Sequence, residues 1–495
     1  MKRFEILGFV GLLSLALVVA SAASAIRPFS AKGRPFNTKS HVPQDGREFF
    51  VDESKLPFDG FPSLPSTRYW GVDGGAGYRI EVPDNWNGDL VLYAHGFRGE
   101  GLELTVDNPP LRLYFLSRGY AWAASSYSAN NYDVRAGVHS TNRLARVFKR
   151  TAGRYDRIFL TGFSMGGHVI GAAVEMFPNI QCPRGRRGRM CKRFRRILGH
   201  FTGGVRYAGA APACGNMGDT ALFDYFGDFS YAAETVAGVP SQFPPSEDYF
   251  DDTFLPTIYG LYENPLALLG PSSTSAVLNE QGEKLRDLTT IMSGGPRQGV
   301  TLAFRFFQQL LFSFSGSDAT LNGIVSGNIY DNIGREYQLD TDPALNADEQ
   351  ALNDMILRVA RDRGVNRSRF IKLARVPVIK GRLSIPVLSI HTIGDLFVPL
   401  SMQQIYAREV DTWLRSEYLV SRVTRALGHC EFSAEELIET FENLVSWVDT
   451  GVRPEGDDIL DPEIVSGSQF GCEFSRGTTE TRRLVGRCAP RPIVY

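Results

Sequence analysis

The sequence predicts an α/β fold: a mostly parallel sheet with helices on both faces, and a large, mainly helical cap inserted between the sixth and seventh strands. Three observations carry this. Apolar runs of strand length alternate with helical patterns from Tyr78 to Ala211 and again from Ile385 to Val448. The alternation breaks down between Cys214 and Ile385. A glycine-rich turn, Gly162-Phe163-Ser164-Met165-Gly166-Gly167, joins one strand directly to a helix. Strands that alternate with helices pair in parallel, and the helices then cover both faces of the sheet.

The elements follow in order. Tyr78–Pro83 and Leu90–Ala94 read as strands joined through the turn residues Asp84-Asn85-Trp86-Asn87-Gly88. Leu111–Arg118 is a short helix, Tyr120–Ser126 a strand and Val134–Lys149 a helix. Arg157–Thr161 is the strand before the glycine-rich turn, Ile170–Val174 belongs to the helix after it, and Val205–Ala211 is the next strand. Beyond the cap, Ile385–His391 and Leu419–Val423 are strands, with a helix over Met402–Val410 between them. Ala434–Val448 carries Leu437, Ile438, Phe441, Leu444, Val445 and Val448 at helical spacing, a surface helix with one core-facing stripe. Within the cap, a helix is expected over Ala347–Arg361, and the aromatic-rich stretch Leu302–Phe312 either packs the cap's own interior or lines an apolar pocket.

The turn around Ser164 carries the chemistry. In a sharp strand-to-helix turn the middle residue takes a strained backbone conformation, and only small flanking residues let the neighbouring chains pass. Such a turn lifts the serine hydroxyl above the sheet edge and aims the free N–H groups of a helix N-terminus at it. Asp395 falls just after a strand, where open α/β sheets place their chemistry, and His429 lies in a Gly-flanked loop before the last helix. The chain order is Ser164, Asp395, His429. The simpler alternatives are a turn serine, a helix N-cap aspartate (with Glu409 and Asp411 as rival acids) and a core histidine.

These motifs, with the segment Leu90-Val91-Leu92-Tyr93-Ala94-His95-Gly96-Phe97, resemble the α/β-hydrolase superfamily of serine esterases, lipases and peptidases over roughly residues 75–215 and 380–450. The resemblance implies a Ser164–His429–Asp395 triad and an oxyanion hole made by the backbone N–H groups of Phe97 and Met165. His95, in the H-G loop, is expected to brace that loop rather than act as a base. No cofactor is implied, and the cysteine spacing offers no C-x-x-C zinc pattern.

Domain organisation follows: a signal peptide at 1–25, an irregular segment at 26–66, a core at 67–214 and 383–450, the cap at 215–382 and a C-terminal extension at 451–495. The N-terminus has a charged opening, Met1-Lys2-Arg3, an apolar Ile6–Ala20 and a small-residue end, Ala23-Ser24-Ala25. That pattern predicts secretion to the periplasm or exterior, in preference to an uncleaved anchor, and no later segment reads as a membrane span. Six cysteines fit an oxidising compartment. Cys182 with Cys191 and Cys472 with Cys488 each bracket a short loop, leaving Cys214 and Cys430, whose bridge would pin the His429 loop to the sheet; connectivity stays open. A formal net charge of −1 argues against nucleic acid as a general partner. The basic run Arg184–Arg196 reads as a solvated loop, and Asn366-Arg367-Ser368 is a glycosylation sequon.

The function expected is hydrolysis of carboxylic esters, on small-molecule or polymeric substrates. One alternative is a serine peptidase of the proline or tripeptidyl aminopeptidase type, whose cap would need an acidic cluster such as Glu247, Asp248, Asp251 and Asp252 to hold a free amino terminus. The other is a non-catalytic binding protein on the same scaffold.

Overall fold

The computed structural model describes residues 46–177, 205–271, 273–367, 373–486 and 488. The expected signal peptide, the Cys182–Cys191 pair and the basic run lie outside the described residues.

Eight strands form one sheet: β1 (Ser66–Asp73), β2 (Ala76–Pro83), β3 (Asp89–Ala94), β4 (Ala121–Ser125), β5 (Arg157–Phe163), β6 (Gly209–Ala213), β7 (Val387–Thr392) and β8 (Leu419–Thr424). Their order is β1-β2-β4-β3-β5-β6-β7-β8. β2 is antiparallel to both β1 and β4, and every other pairing is parallel. This order, with a single antiparallel strand inside the sheet, is that of the α/β-hydrolase fold.

The central strands are buried on both faces, which is why they read as continuous apolar runs. Leu90, Leu92 and Ala94 of β3 join one cluster and Val91 and Tyr93 the other, as side chains alternate along a strand. The first cluster is closed by α2 (Val134–Thr151) and α3 (Met165–Met176), the second by α1 (Arg112–Ser117) and a C-terminal helix at Ala434–Thr450. Asp133 caps α2, its side chain accepting from Ala136 N at 3.0 Å.

Two boundaries differ from expectation by four residues or more, and one strand was not foreseen. β6 starts at Gly209, not Val205, and reads Gly-Ala-Ala-Pro-Ala. Pro212 donates nothing, and β6 is in register with β7 only at Ala210↔Val387 and Ala213↔Ile390. Its strand state comes from burial between β5 and β7, not from intrinsic preference. β1 escaped the reading because it is an edge strand whose side chains are exposed or half-buried, without a buried face to mark it.

Between β6 and β7 the chain forms α4 (Ala221–Val236), α5 (Leu255–Leu261), α6 (Leu266–Leu269), α7 (Glu280–Met292), α8 (Val300–Phe312) and α9 (Ala347–Met355). Helix α9 stops at Met355, short of the expected Arg361. Beyond it Arg358 donates to the Arg335 carbonyl at 2.5 Å, and Arg361 Nη2 to Asp224 Oδ1 at 2.9 Å, contacts that pull the chain out of helix. The aromatic-rich α8 packs inward: Phe304, Phe307 and Phe312 are buried in a cluster that also holds Leu396 and Val398 from beyond β7. Three α-helices follow β7 among the described residues: α10 (Leu400–Thr412), α11 (Ala434–Thr450) and the short α12 (Pro462–Ser466). No helix among the described residues is long and apolar enough to cross a membrane.

Candidate active site

Ser164 stands between β5 and α3 with φ 55° and ψ −123°. A side chain other than glycine holds such a conformation only where the surroundings over-determine it. They do so here. A Cβ on Gly162 would run into the Gly166 carbonyl, and one on Gly166 into the Ala94 carbonyl at the end of β3. Ser164 N donates to the Ala213 carbonyl of β6 at 3.1 Å, which fixes the turn from the other side.

Asp395 lies three residues past β7 and is fully buried. Its Oδ1 accepts from Phe397 N at 2.9 Å and Val398 N at 3.0 Å, and its Oδ2 receives His429 Nδ1 at 2.5 Å. A carboxylate can only accept, so Nδ1 carries the proton and Nε2 is the free basic nitrogen. Nε2 lies 3.3 Å from Cys430 Sγ, and no hydrogen bond joins Ser164 to His429 among the described residues. The structure thus brings Asp395 and His429 into contact. Phe397 links this pair to the serine: its ring meets the His429 ring edge-on at 5.1 Å, and it lines the same cavity as Ser164.

Cys214 and Cys430 are bonded, with Cα atoms 5.2 Å apart, and Cys472 is bonded to Cys488. The first bridge ties the residue after Ala213 to the residue after His429. Its sulfurs and His429 fall within 4.8 Å of one another, but sulfurs bonded to each other offer no thiolate to a metal. The histidine loop has a further brace that sequence reading missed. Glu431 Oε2 accepts from Gly428 N at 2.9 Å and from Thr481 Oγ1 at 2.6 Å. Thr481 Oγ1 in turn accepts from Leu427 N at 2.7 Å.

His95 and His391 frame the site without sharing its chemistry. His95 is buried and stacked 3.9 Å from the Tyr127 ring, with Nδ1 donating to the Gly96 carbonyl at 2.6 Å. Burial, aided by Arg98, pushes its pKa down to about 3. His391 Nε2 donates to the Val398 carbonyl at 2.8 Å, and burial lowers its pKa to about 4. Both rings are therefore neutral near pH 7.

Phe97 and Met165 both line the cavity with Ser164, and the N–H groups of both meet no acceptor among the described residues. The cavity measures about 780 Å³. One wall is a stack of three rings: Phe226 and Phe314 lie 4.1 Å apart at 11°, and Phe397 lies 5.9 Å from each, within 21° of parallel. Phe226 comes from α4 and Phe314 from just past α8. Their helical spacing gave no sign of which aromatics would face the cavity.

Glu247, Asp248, Asp251 and Asp252 are exposed and do not line the cavity. Asn366, the sequon asparagine, has its amide engaged with Val376: Nδ2 donates to the carbonyl at 2.6 Å and Oδ1 accepts from the N–H at 3.1 Å.

No family model matches the chain. It is 22% identical over 455 residues to the o-phthalyl amidase of Xanthobacter agilis, an alignment that covers 81% of this chain and 91% of that protein. Among solved structures it is similar to feruloyl esterase B from Aspergillus oryzae (14% identity, TM-score 0.43, covering 81% of this chain and 84% of that one). It is also similar to esterase B from Lactobacillus rhamnosis (12% identity, TM-score 0.35, covering 91% of this chain and 96% of that one).

Proposed function

We propose that this protein is a hydrolase of carboxylic esters that works through an acyl-enzyme on Ser164. The observation that carries the reading is the strained Ser164 turn, sharing one cavity wall with the loop that holds the Asp395–His429 pair.

In this reading His429 Nε2 takes the proton of Ser164 as its oxygen attacks the substrate carbonyl carbon. Asp395 holds the imidazole in the tautomer with Nδ1 protonated and stabilises the imidazolium that forms. The Phe97 and Met165 N–H groups receive the oxyanion; one such donor is worth about 10²–10³ in rate. The imidazolium then protonates the leaving alcohol, the ester bond breaks, and water activated by His429 releases the acid. The absent Ser164–His429 hydrogen bond fits this scheme, because catalytic hydrogen bonds are often long in unliganded sites and tighten with substrate. The three stacked rings favour a flat or apolar acyl group. Pairing of every described cysteine favours an oxidising compartment, in accord with export.

Amide hydrolysis is the second reading, favoured by the similarity to an amidase across most of both chains. The aminopeptidase variant is disfavoured, since its acidic run faces solvent.

Initial rates on p-nitrophenyl esters from acetate to palmitate, beside prolyl, alanyl and benzoyl p-nitroanilides, test this in wild type and Ser164→Ala. Ester turnover lost in the variant supports the reading. Anilide turnover without an ester preference moves the assignment to amides, and activity that survives Ser164→Ala refutes the mechanism.

A further inference from the structure

Helix α4 crosses the cavity, and its cavity face changes character along its length. Leu222, Phe226, Ser230 and Glu234 are spaced four residues apart, so they share one face, and all four line the cavity. Phe226 stacks on Phe397 beside His429. Glu234 lies eight residues further on, about 12 Å along the helix axis. The cavity is therefore aromatic near the reacting groups and polar at its far end.

That far end is built but unsatisfied. Glu234 is only 2% exposed; its Oε1 accepts from Tyr249 Oη at 2.7 Å, while Oε2 receives no hydrogen bond of good geometry and has only the Ser241 hydroxyl acting on the carboxyl from nearby. Ser230 is 6% exposed, and its hydroxyl makes no hydrogen bond of good geometry, interacting only with the Tyr249 hydroxyl; the Ser246 hydroxyl, also in the cavity lining, makes none either. A buried polar atom without a good partner is costly, so a ligand that supplies donors here gains what the chain itself does not provide. The other two carboxylates of the lining are held by the chain itself: Glu100 Oε2 accepts from Asn322 Nδ2 at 2.8 Å, and Asp318 Oδ1 from Thr320 N at 2.9 Å. No Lys, Arg or His lines the cavity among the described residues. Burial pushes the Glu234 pKa up, against the opposing pull of the Ser241 and Tyr249 hydroxyls, which is the mark of a carboxyl short of donors.

We propose that Glu234 and Ser230 form a distal subsite that binds a hydrogen-bond-donating head group, hydroxyl or ammonium, at the remote end of an elongated ester, and that rejects a carboxylate there. The proposal rests on the ester-hydrolase reading and adds a substrate class to it. The amino terminus of a peptide cleaved after its first residue does not fit the subsite, since it lies two bonds from the scissile carbonyl carbon and Glu234 lies about two helical turns past Phe226.

The test is a series of methyl esters of one para-extended biphenyl carboxylic acid, whose far para position carries methyl, hydroxymethyl, aminomethyl or carboxylate. p-Nitrophenyl acetate, which is too short to reach Glu234, serves as a control. The expected order of kcat/KM places both donor compounds about tenfold or more above methyl, with carboxylate slowest. Glu234→Gln should compress the ratio of aminomethyl to carboxylate turnover by about tenfold, a ratio that general loss of fold does not move. Ser230→Ala should lower the hydroxymethyl-to-methyl ratio, and it serves if the Glu234 variant does not fold. Equal rates across the series with acetate turnover intact overturn the subsite and leave the ester reading standing. Loss of turnover on every ester, acetate included, overturns both.

Discussion

Cys430 is bonded to Cys214 and, through its own Sγ, lies 3.3 Å from His429 Nε2. The proposed base is thus fastened to the end of β6, the strand whose Ala213 carbonyl receives the N–H of Ser164. Cleaving this bridge should separate the two halves of the site more than it harms the fold. The Cys214→Ser/Cys430→Ser double variant should lose about 2–5 kcal/mol of stability and at least tenfold in kcat below its melting temperature. Thermal melts and ester kinetics on the same samples check this; full kcat in the double variant contradicts it.

Asp395 holds His429 with a single hydrogen bond and is itself fixed by two backbone N–H groups. Asp395→Asn keeps the shape but favours the wrong imidazole tautomer. We expect kcat to fall by about 10²–10⁴ with little change in KM. Equal falls in kcat and in stability would indicate a structural aspartate.

Thr481 reaches back fifty residues to Glu431 at 2.6 Å, tying the C-terminal extension to the histidine loop. Thr481→Val removes the hydroxyl and keeps the bulk. It leaves the Leu427 N–H without its acceptor and takes from Glu431 Oε2 one of its two hydrogen bonds, the Gly428 N–H remaining, at a cost of about 1–3 kcal/mol. Urea unfolding should show that loss, and kcat should fall while KM stays near the wild-type value.

His168 is buried on α3, with Nε2 donating to the Pro377 carbonyl at 2.7 Å, and burial lowers its pKa from 6.5 to about 4. The unfolded chain therefore binds a proton at higher pH than the folded one. The stability this residue contributes is complete above pH 6.5 and falls by about 1.4 kcal/mol per pH unit as the pH drops towards 4. Asp219, Asp228 and Asp457, which burial raises to about 6, 7 and 6, carry the opposite slope. The clean observable is thus the difference between wild type and His168→Gln. Wild type should lose stability relative to the variant below pH 6.5, as read by urea melts between pH 7.5 and 5; a constant difference contradicts the burial argument.

The core was legible because its signals are local. Leu90–Ala94 is apolar throughout because both faces are buried, and the turn at Ser164 needs small residues at Gly162 and Gly166 because two carbonyls pass there. Asp395 and His429 were legible as loop residues placed after strands. The remainder depends on contacts between distant segments. Phe226 and Phe314 form one wall although 88 positions separate them, and their periodicity is no different from that of the inward-packed Phe304. Asp228, buried on α4, accepts through Oδ1 from Tyr330 and Tyr337 and pairs through Oδ2 with Arg335, all from beyond α8, a network with no trace in local spacing. Glu234 was likewise invisible: an acidic residue on a helix reads as solvated, and only the fold closes a cavity over it.

The most direct test of the central claim is covalent. A fluorophosphonate phosphonylates an activated serine by displacing fluoride, and peptide mass spectrometry locates the adduct. The account predicts stoichiometric labelling of Ser164, loss of ester turnover in proportion, and no labelling after Ser164→Ala or in the Asp395→Asn variant at short times. Label on another serine, or full ester turnover with Ser164 blocked, would contradict it.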